Sequence, residues 1–212
     1  MIIAIDGPAA SGKGTLGKRL AEHFGFAHLD TGLLYRAVAR VLLDRNVPLE
    51  DREAAAEVAR TLDVSQLDDS RLRGAAMGEA ASVVSAYQPV RDALLAFQRQ
   101  FGTRPPGAVL DGRDIGTVVC PDAEVKLFIT AAPEERARRR HLELQSRGEQ
   151  AEYEAILADI RRRDERDMNR STAPLKPAAD ALTLDTTHLD ADAAFRAALD
   201  LVGRKRSSTV GR

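Results

Sequence analysis

The residues best suited to chemistry form a short run near the start of the chain. Residues 7–15 read GPAASGKGT and follow the apolar run Ile2–Ile5. Glycines let backbone N–H groups approach an anion closely, and a lysine adds a point charge. A helix that begins near Lys13 would add the positive end of its dipole. The spacing therefore predicts a phosphate-binding loop, to which a plain glycine turn between a strand and a helix is the alternative.

A second set of polar residues consists of arginines and aspartates far from this loop. Arg36 and Arg113 lie close to the ends of two apolar runs. Four further charged residues have helical spacing of i, i+3, i+4 and i+7: Arg163, Arg166, Asp167 and Arg170. Guanidinium groups on one helix face repel each other, so together with Arg36 and Arg113 they favour a clamp for a phosphate. A solvated, salt-bridged helix surface is the alternative.

The elements that must position these residues are indicated by apolar runs and helical periodicity. Five short, largely apolar runs are typical of parallel strands that are covered on both faces: Ile2–Ile5, Phe26–Leu29, Ala108–Leu110, Val125–Ile129 and Ala181–Leu184. Helical patterns alternate with them, which predicts an α/β fold with a doubly wound, five-stranded parallel sheet. Ligands bind beyond the carboxyl ends of such strands, where aspartates at 6, 30, 111 and 185 follow the runs.

We expect residues 1–202 to form one domain with two helical additions. The first is an insert over about 33–101, between the second and third strands, and the second is a lid region over about 133–170, with its hairpin near Gly148. Residues 203–212 read GRKRSSTVGR and are predicted to be a disordered tail.

Composition narrows the class of protein. The 212 residues carry 31 basic and 32 acidic side chains, a net charge of −1, which gives no reason to expect a nucleic-acid or membrane surface. One cysteine, Cys120, fits a reducing compartment, and the four histidines lack the spacing of metal ligands. The apolar N-terminal run is too short for a signal peptide. We expect a cytoplasmic monomer whose partners are small molecules.

The position of the hydroxyl residue at the end of the loop indicates which kind of phosphate-binding protein the chain resembles. The general phosphate-loop pattern ends Gly-Lys-Ser/Thr, whereas this loop ends Gly-Lys-Gly-Thr, so the hydroxyl belongs to Thr15. In this the chain resembles nucleoside monophosphate kinases. The segments DTGLLYR (30–36), DGRDIGT (111–117) and RDERDMNR (163–170) make it similar to the bacterial cytidylate kinase family over most of residues 1–202. The resemblance implies a P-loop kinase fold that transfers phosphate from ATP to CMP or dCMP with Mg²⁺.

The resemblance also assigns site residues. It implies that Lys13 is catalytic, together with the arginines at 36, 113 and 170, which hold the acceptor phosphate. The residues expected to bind ATP are Gly7, Pro8, Ala9, Ala10, Ser11, Gly12, Lys13, Gly14 and Thr15, with Arg136, Arg139 and Arg140 of the lid. The residues expected to bind CMP are Thr31, Tyr35, Arg36, Ser82, Arg91, Arg113, Asp114, Arg163, Asp167 and Arg170. By composition alone Arg138 and Arg147 are equally available for ATP.

The residues matched to the base suit cytosine chemically. A carboxylate such as Asp114 accepts from the N4 amine, and Arg91 and Ser82 can donate to O2 and N3. Uracil would place O4 against that carboxylate, which a hydrogen-bonding site rejects strongly. An ordinary helix-surface position is the alternative for Ser82 and Arg91.

Two strand-end carboxylates are candidates for holding Mg²⁺-bound water with Thr15. They are Asp30 and Asp111, since Mg²⁺ keeps several waters and uses few carboxylates. Capping of the following helix is an equally weighted alternative for both.

One segment departs from the family pattern. The family carries a small antiparallel sheet before the helix that contains Ser82, and residues 63–73 are too short for one. This leaves open how the insert is braced.

Two rival functions are kept. One is a kinase for another acceptor, such as UMP, dTMP or shikimate, although a shikimate enzyme would not need the Ser82, Arg91 and Asp114 set. The other is a nucleotide-dependent switch, against which the absence of an Asn-Lys-x-Asp motif speaks.

Overall fold

The chain forms a five-stranded parallel sheet covered by helices, as predicted. A computed structural model describes residues 1–64, 67 and 70–210. In these residues the strands are β1 (Ile2–Asp6), β2 (Ala27–Asp30), β3 (Ala108–Gly112), β4 (Val125–Thr130) and β5 (Leu182–Asp185). Their order across the sheet is β2-β3-β1-β4-β5, and every pairing is parallel. All five carboxyl ends therefore meet at one edge.

Eight helices connect and extend these strands in the part of the chain that is described. They are α1 (Lys13–Phe24), α2 (Gly32–Asp44), α3 (Arg52–Arg60), α4 (Ala75–Val84), α5 (Gln88–Gly102), α6 (Pro133–Ser146), α7 (Tyr153–Asn169) and α8 (Ala191–Val210). Helices α2 to α5 lie between β2 and β3, and α6 and α7 lie between β4 and β5. These are the places where the sequence predicts the insert and the lid.

The apolar runs of β1, β3 and β4 are buried on both faces of the sheet, whereas β5 at one edge has alternating exposed residues. In β1, Ile3 and Ile5 pack with α1 and α8 on one face, while Ala4 packs with Leu110 and Ile115 on the other. Strands buried on both sides lack the alternation of polar and apolar residues, which is why they read as continuous apolar runs. This packing fixes the strand ends that carry the polar residues.

The insert and the lid have apolar clusters of their own. The insert core joins α2 to α5 through residues such as Leu34, Val38, Val84 and Leu94. The lid core is smaller and joins α6 to α7 through residues that include Ala137 and Ile160. The α6–α7 hairpin turns at Gly148, whose left-handed φ of 72° favours glycine.

The C-terminal segment differs from the prediction. Helix α8 continues to Val210 instead of ending at 202, so the prediction of a disordered tail is wrong for residues 203–210. Gly203 is weak for a helix, but arginine and lysine at 204–206 are good helix formers and let the backbone pattern continue. Residues 211 and 212 lie outside the described part.

The short segment over residues 63–73 is described only in part. Residues 65, 66, 68 and 69 lie outside the described residues, and Ser70–Leu72 form a 3₁₀ turn. Leu72 is buried, and its carbonyl oxygen accepts a hydrogen bond of 3.0 Å from Nη1 of Arg36. The segment thus braces α2 by direct contact with a predicted site residue.

Candidate active site

The loop after β1 has the geometry of an anion cradle. Ala10 and Gly12 adopt left-handed φ angles of 58° and 87°, which turn successive N–H groups toward one side. A Cβ at Gly7 would lie 2.0 Å from the carbonyl oxygen of Ile129, so only glycine fits there. Helix α1 then begins at Lys13 with no side chain capping its first amides, so these amides remain available to a phosphate.

Lys13 is held in a desolvated, cation-rich position. Burial lowers the pKa of its amine to about 7, and Arg113 is the next largest influence in the same direction. Asp111 and Asp30 work against this by favouring the ammonium form. The closest acceptor to Nζ is the carbonyl oxygen of Pro8 at 3.3 Å, which closes the lysine over its own loop. A polyanion at this position would restore the charged form.

Several predicted arginines gather around this lysine. Arg113 and Arg163 lower its pKa, and Arg36 in turn lies within the electrostatic influence of Arg140 and Arg113. Burial and then Arg113 lower the pKa of Arg163 to about 10. We call this set the lysine cluster: Lys13, Arg36, Arg113, Arg140 and Arg163. Burial and these neighbouring cations together outweigh the nearby carboxylates at Lys13 and Arg163, whose pKa values stay lowered, so the environment favours a polyanion.

A second set of residues forms the far end of the site, and we call it the base group: Tyr35, Arg91, Asp114 and Arg170. Arg91 and Asp114 form a short ion pair, each with 7% of its side chain exposed. The guanidinium of Arg91 also lies over the ring of Tyr35, with 5.6 Å between Cζ and the ring centre. Arg170 lies 4.0 Å from Asp114, and its Nε and Nη2 donate to the carbonyl oxygen of Ala173.

Asp167 joins the two sets. Its Oδ2 accepts from Nε of Arg113 at 2.9 Å, and its Oδ1 accepts from Oγ of Ser82 at 3.4 Å. Burial works to raise the pKa of Asp167, but Arg113 and Arg170 outweigh it and hold the pKa below the usual value. One aspartate of α7 therefore links the strand-end arginine to the insert.

The surface alternative for Ser82 and Arg91 is wrong, because both residues are 7% exposed. Ser85 nearby is buried as well, and its carbonyl oxygen accepts from Arg91 at 3.2 Å. Thr31 is also buried and donates from Oγ1 to the carbonyl oxygen of Asp111 at 2.9 Å, which anchors the start of α2 to β3.

The lid arginines occupy different places. Arg136 is 3% exposed and makes two hydrogen bonds to Asp164 of α7, of 3.0 and 2.5 Å, with two more to the carbonyl oxygens of Ala9 and Ala131. Its guanidinium is therefore directed at four protein acceptors, which differs from the predicted contact with ATP. Sequence reasoning treated it as a lid arginine because its partner Asp164 comes from the next helix.

Arg139 lies over the phosphate loop. Its Nη1 is 3.9 Å from the position of a Cβ on Gly12 and donates to Oγ1 of Thr186 at 3.1 Å. Arg140 instead faces the acceptor side, paired with Glu143 and close to Arg36. Arg138 and Arg147 are paired with Glu135 and Glu143 near the surface.

A cavity of about 320 Å³ opens beside the loop, between α1, α6 and the start of α8. Its walls are formed by residues that include Thr15, Leu16, Arg139, Leu189 and Ala194. Its lining includes Ser11 and Gly12 of the phosphate loop as well as apolar side chains. A planar ring attached to phosphates on the loop would fit this arrangement.

The two candidate metal-site carboxylates lie near Lys13. Oδ1 of Asp30 accepts from the Gly32 N–H at 2.9 Å, so it does contact the first turn of α2. Burial and then Asp111 raise the pKa of Asp30. Asp111 is 1% exposed, and its Oδ2 pairs with Nε2 of His28 at 2.8 Å. Within the described residues no three His, Cys, Asp or Glu side chains cluster as a ready metal site.

Some residues that build the site were missed by sequence reasoning. Thr186 donates to the carbonyl oxygens of Ser11 and Thr130 and so fixes the loop to β4, and Asp164 holds Arg136. The only sequence signal for Thr186 is its position just after a strand. Asp164 has no local signal, because its partner is set by helix packing.

A scan against protein-family models matches the cytidylate kinase model over residues 3–204. The chain belongs to the cytidylate kinase family. A cytidylate kinase of Rhodopseudomonas palustris (strain TIE-1) is 64% identical over 97% of this chain and 100% of its own length. One of Bradyrhizobium sp. (strain ORS 278) is 63% identical over 98% of each chain.

A solved structure supports the fold alone. A gluconokinase from Sinorhizobium meliloti 1021 aligns with a TM-score of 0.51 at 16% identity, over 98% of this chain and 94% of that one. This agrees with the cytidylate kinase assignment at the level of the sheet and its helices. No helix within residues 1–64, 67 and 70–210 has the length and apolar character needed to cross a membrane.

Proposed function

We propose that the protein transfers the γ-phosphoryl group of ATP to CMP or dCMP, giving ADP and CDP or dCDP. The observation that carries the proposal is the line of groups running from the phosphate loop through the lysine cluster to the Arg91–Asp114 pair. Family membership supports the same reaction. Each stretch of this line matches one part of the reactants, which are donor phosphates, acceptor phosphate and cytosine.

The donor end holds ATP mainly through backbone groups. The N–H groups of residues 7–15 and the start of α1 receive the phosphates, and Lys13 reaches toward the β- and γ-phosphates. The adenine occupies the cavity bounded by Leu16 and Leu189. Arg139 lies over the loop and contacts the donor phosphates, whereas Arg136 keeps the lid attached to Ala9.

The acceptor end holds CMP through side chains. Arg36 and Arg113 of the lysine cluster, with Arg170 of the base group, bind the acceptor phosphate. Arg163 and Asp167 lie at the ribose. To reach the substrate, Arg170 exchanges its hydrogen bonds with the carbonyl oxygen of Ala173 for bonds to phosphate. Such exchange conserves the number of hydrogen bonds while neutralising charge on the substrate.

Cytosine is recognised by the Arg91–Asp114 pair, at the end of the site farthest from the phosphate loop. The Asp114 carboxylate accepts from the N4 amine, while Arg91 and Ser82 donate to the ring acceptors. Because Asp114 is 5% exposed, a base that presented an oxygen there would leave two acceptors facing each other away from water. The same pocket therefore selects against uracil.

No side chain is needed as a general base. The second pKa of a phosphate monoester is near ~6, so the acceptor oxygen is already mostly ionised at neutral pH. Catalysis then comes from alignment of the two phosphates and from charge stabilisation in the transition state. The lysine cluster provides both, and closure of α6 and α7 over the site excludes water that would hydrolyse ATP.

The residues near Lys13 fit Mg²⁺ on the chemistry of their donors. The hydroxyl of Thr15 and the carboxylates of Asp30 and Asp111 are oxygen donors, and two carboxylates with water and substrate phosphate are what Mg²⁺ uses. The chemistry it supplies is neutralisation of charge on the transferring phosphates. Asp30 keeps one oxygen for the Gly32 N–H and has its other oxygen left for water.

The test is a coupled assay of ADP release with CMP, dCMP, UMP, AMP and shikimate as acceptors, with and without excess EDTA. The proposal predicts turnover with CMP and dCMP and loss of turnover with EDTA. Equal or faster turnover with UMP would reject base reading by Asp114. ADP release without any acceptor at the same rate would favour the switch. A cytoplasmic location and a monomeric state stay predictions, and size-exclusion chromatography with light scattering tests the second.

A further inference from the structure

One buried carboxylate next to the site has no part in the reaction described above. Asp6 is the last residue of β1 and precedes the phosphate loop directly. It is 4% exposed. Its Oδ1 accepts from the Ile115 N–H at 2.7 Å, and its Oδ2 accepts from the Gly116 N–H at 2.8 Å. Both of its oxygens are thus committed to one backbone segment that lies far away in sequence.

That segment is the turn that presents the base-reading residue. Ile115–Val119 form a short π-helical turn, and Asp114 occupies its N-cap position. The first amides of any helical turn lack internal partners, and an aspartate at the N-cap ordinarily supplies them. Here the Asp114 side chain makes no capping bond. Its carboxylate is turned to Arg91 instead.

Asp6 therefore performs, from a neighbouring strand, the capping that Asp114 does not perform. The exchange has a consequence for orientation, because a carboxylate that folds back onto the amides of its own helical turn is directed away from Arg91 and the acceptor pocket. With Ile115 and Gly116 satisfied from β1, the Asp114 side chain is free to face the acceptor pocket. Arg113 lies on the same backbone segment, between Gly112 and Gly116. The two hydrogen bonds to Asp6 therefore also fix the backbone from which the Arg113 side chain extends.

The surroundings of Asp6 leave this arrangement little room to change. A Cβ at Gly116 would lie 3.4 Å from Oδ2 of Asp6 and 3.1 Å from Cδ of Lys126. Lys126 is itself anchored by a 2.9 Å hydrogen bond to Asp180. Burial raises the pKa of Asp6 to about 6, while the two amide donors act to lower it. The amide bonds offset part of the cost of placing a carboxylate in this position.

We infer that Asp6 is a positioning residue for the acceptor site, which caps the turn after Asp114 and so sets the selectivity for cytosine. The inference rests on the proposed function. Asp6 directly precedes the donor loop in sequence, but the inference is that it affects binding of the acceptor nucleotide. The hydrogen bonds of the Asp6 carboxylate go to Ile115 and Gly116 and not to the phosphate loop, which is contacted by Thr186 through the carbonyl oxygen of Ser11.

The first test is Asp6→Asn, which keeps the size but replaces one acceptor oxygen by an NH₂ group that faces an N–H donor. We expect kcat/KM for CMP to fall roughly 10- to 100-fold, as for loss of buried hydrogen bonds to a charged group. The KM for ATP should change less than about 3-fold, and the preference for CMP over UMP should fall about 10-fold. Equal changes in the ATP and CMP constants, or an unchanged CMP preference, would overturn the inference.

Asp51→Asn is the matched control. The Asp51 carboxylate also accepts a backbone N–H, that of Ala54 at 3.0 Å, and caps α3 on the surface. Asp51→Asn makes the same chemical change as Asp6→Asn but outside the site, so its kinetic constants should equal those of the wild-type chain.

Gly116→Ala tests the same link from the other end and serves if Asp6→Asn does not fold. Its methyl group would lie 3.1 Å from Cδ of Lys126, a side chain anchored by Asp180, so we expect the Gly116 backbone to shift relative to Asp6 without any change of charge. We expect the same split between the CMP and ATP constants, and a double variant little worse than either single one. Additive losses would show that the two positions act separately and would reject the inference.

A readout independent of turnover separates this inference from the proposed function. Hydrogen–deuterium exchange should be faster in residues 113–119 of Asp6→Asn than in the wild-type chain, with exchange in residues 7–20 unchanged. Uniform acceleration over both segments would mean a general loss of stability and would contradict the positioning role. Failure of the wild-type chain to phosphorylate CMP would contradict the proposed function. The exchange experiment would still test, independently of turnover, whether Asp6 holds the turn at residues 113–119.

Discussion

The donor loop and the acceptor pocket meet at Lys13 but are built in different ways. The donor loop is one continuous stretch, residues 7–15, and its binding groups are backbone amides fixed by glycine geometry. The acceptor pocket takes side chains from α2, α4, α5, the turn after β3 and α7. Its charged side chains are paired with each other or with carbonyl oxygens, as in Arg91–Asp114 and Arg113–Asp167.

The difference determines how each half responds to change. A cradle of amides is preorganised, so binding costs little rearrangement and any loss of affinity requires a backbone change. Paired side chains are held in position by partners that the substrate must replace. We therefore expect donor binding to resist most substitutions in α2 to α5, and acceptor binding to be sensitive to substitutions on several elements.

Loss of the lysine at the meeting point should have the largest effect. Lys13→Ala removes the charge that both phosphates share, and kcat should fall on the order of 10³-fold. Lys18→Ala is the control, because Lys18 lies on the same helix and is exposed with a 3.9 Å contact to Glu22. Steady-state kinetics would measure both, and a fall in kcat of less than about 10-fold for Lys13→Ala would contradict the central role of this residue.

Arg170→Ala should weaken acceptor binding without weakening donor binding. The arginine is proposed to bind the acceptor phosphate, so kcat/KM for CMP should fall about 100-fold or more, while the Kd for ATP changes less than about 3-fold. Arg166→Ala is the matched control, since Arg166 lies one turn earlier and pairs with Glu79 at 2.6 Å. Unchanged CMP kinetics in Arg170→Ala would mean that the acceptor phosphate is bound without this residue.

Asp114→Asn should change selectivity more than rate. An amide can donate to O4 of uracil, so the preference for CMP over UMP should fall roughly 10- to 100-fold. Asp92→Asn on α5 is the control, because that exposed carboxylate contacts only Gln88 among the hydrogen bonds described for it. Competition between CMP and UMP in one reaction measures the ratio, and an unchanged ratio would mean that another residue reads the base.

The last effect concerns stability without nucleotide. Burial lowers the pKa of Lys13 from its ordinary 10.5 to about 7, so folding disfavours the charged amine. Wild-type stability relative to Lys13→Met should therefore be greatest above about pH 10, decline as the pH falls, and level off below about pH 7. In thermal melts, the difference in Tm between variant and wild type should change by roughly 10 °C between these two pH limits. A gap independent of pH would contradict a desolvated lysine.

The sequence predicts the donor half better than the acceptor half, and the reason is locality. The phosphate loop depends on neighbouring residues, and buried parallel strands are visible as apolar runs, so β1 and α1 are found from a few positions. The contact of Arg136 with Asp164 could not be predicted from the sequence, because packing of α6 on α7 brings the two residues together. The capping of Ile115 by Asp6 joins residues 109 apart in sequence and leaves no local trace.

The most direct test of the account is a crystal structure of the chain with CMP and a non-hydrolysable ATP analogue. The account predicts that the CMP phosphate lies between Arg36, Arg113 and Arg170 and faces the γ-phosphate beside Lys13. Arg170 will then have left the carbonyl oxygen of Ala173. A CMP phosphate bound elsewhere, with Arg170 still on Ala173, would contradict it.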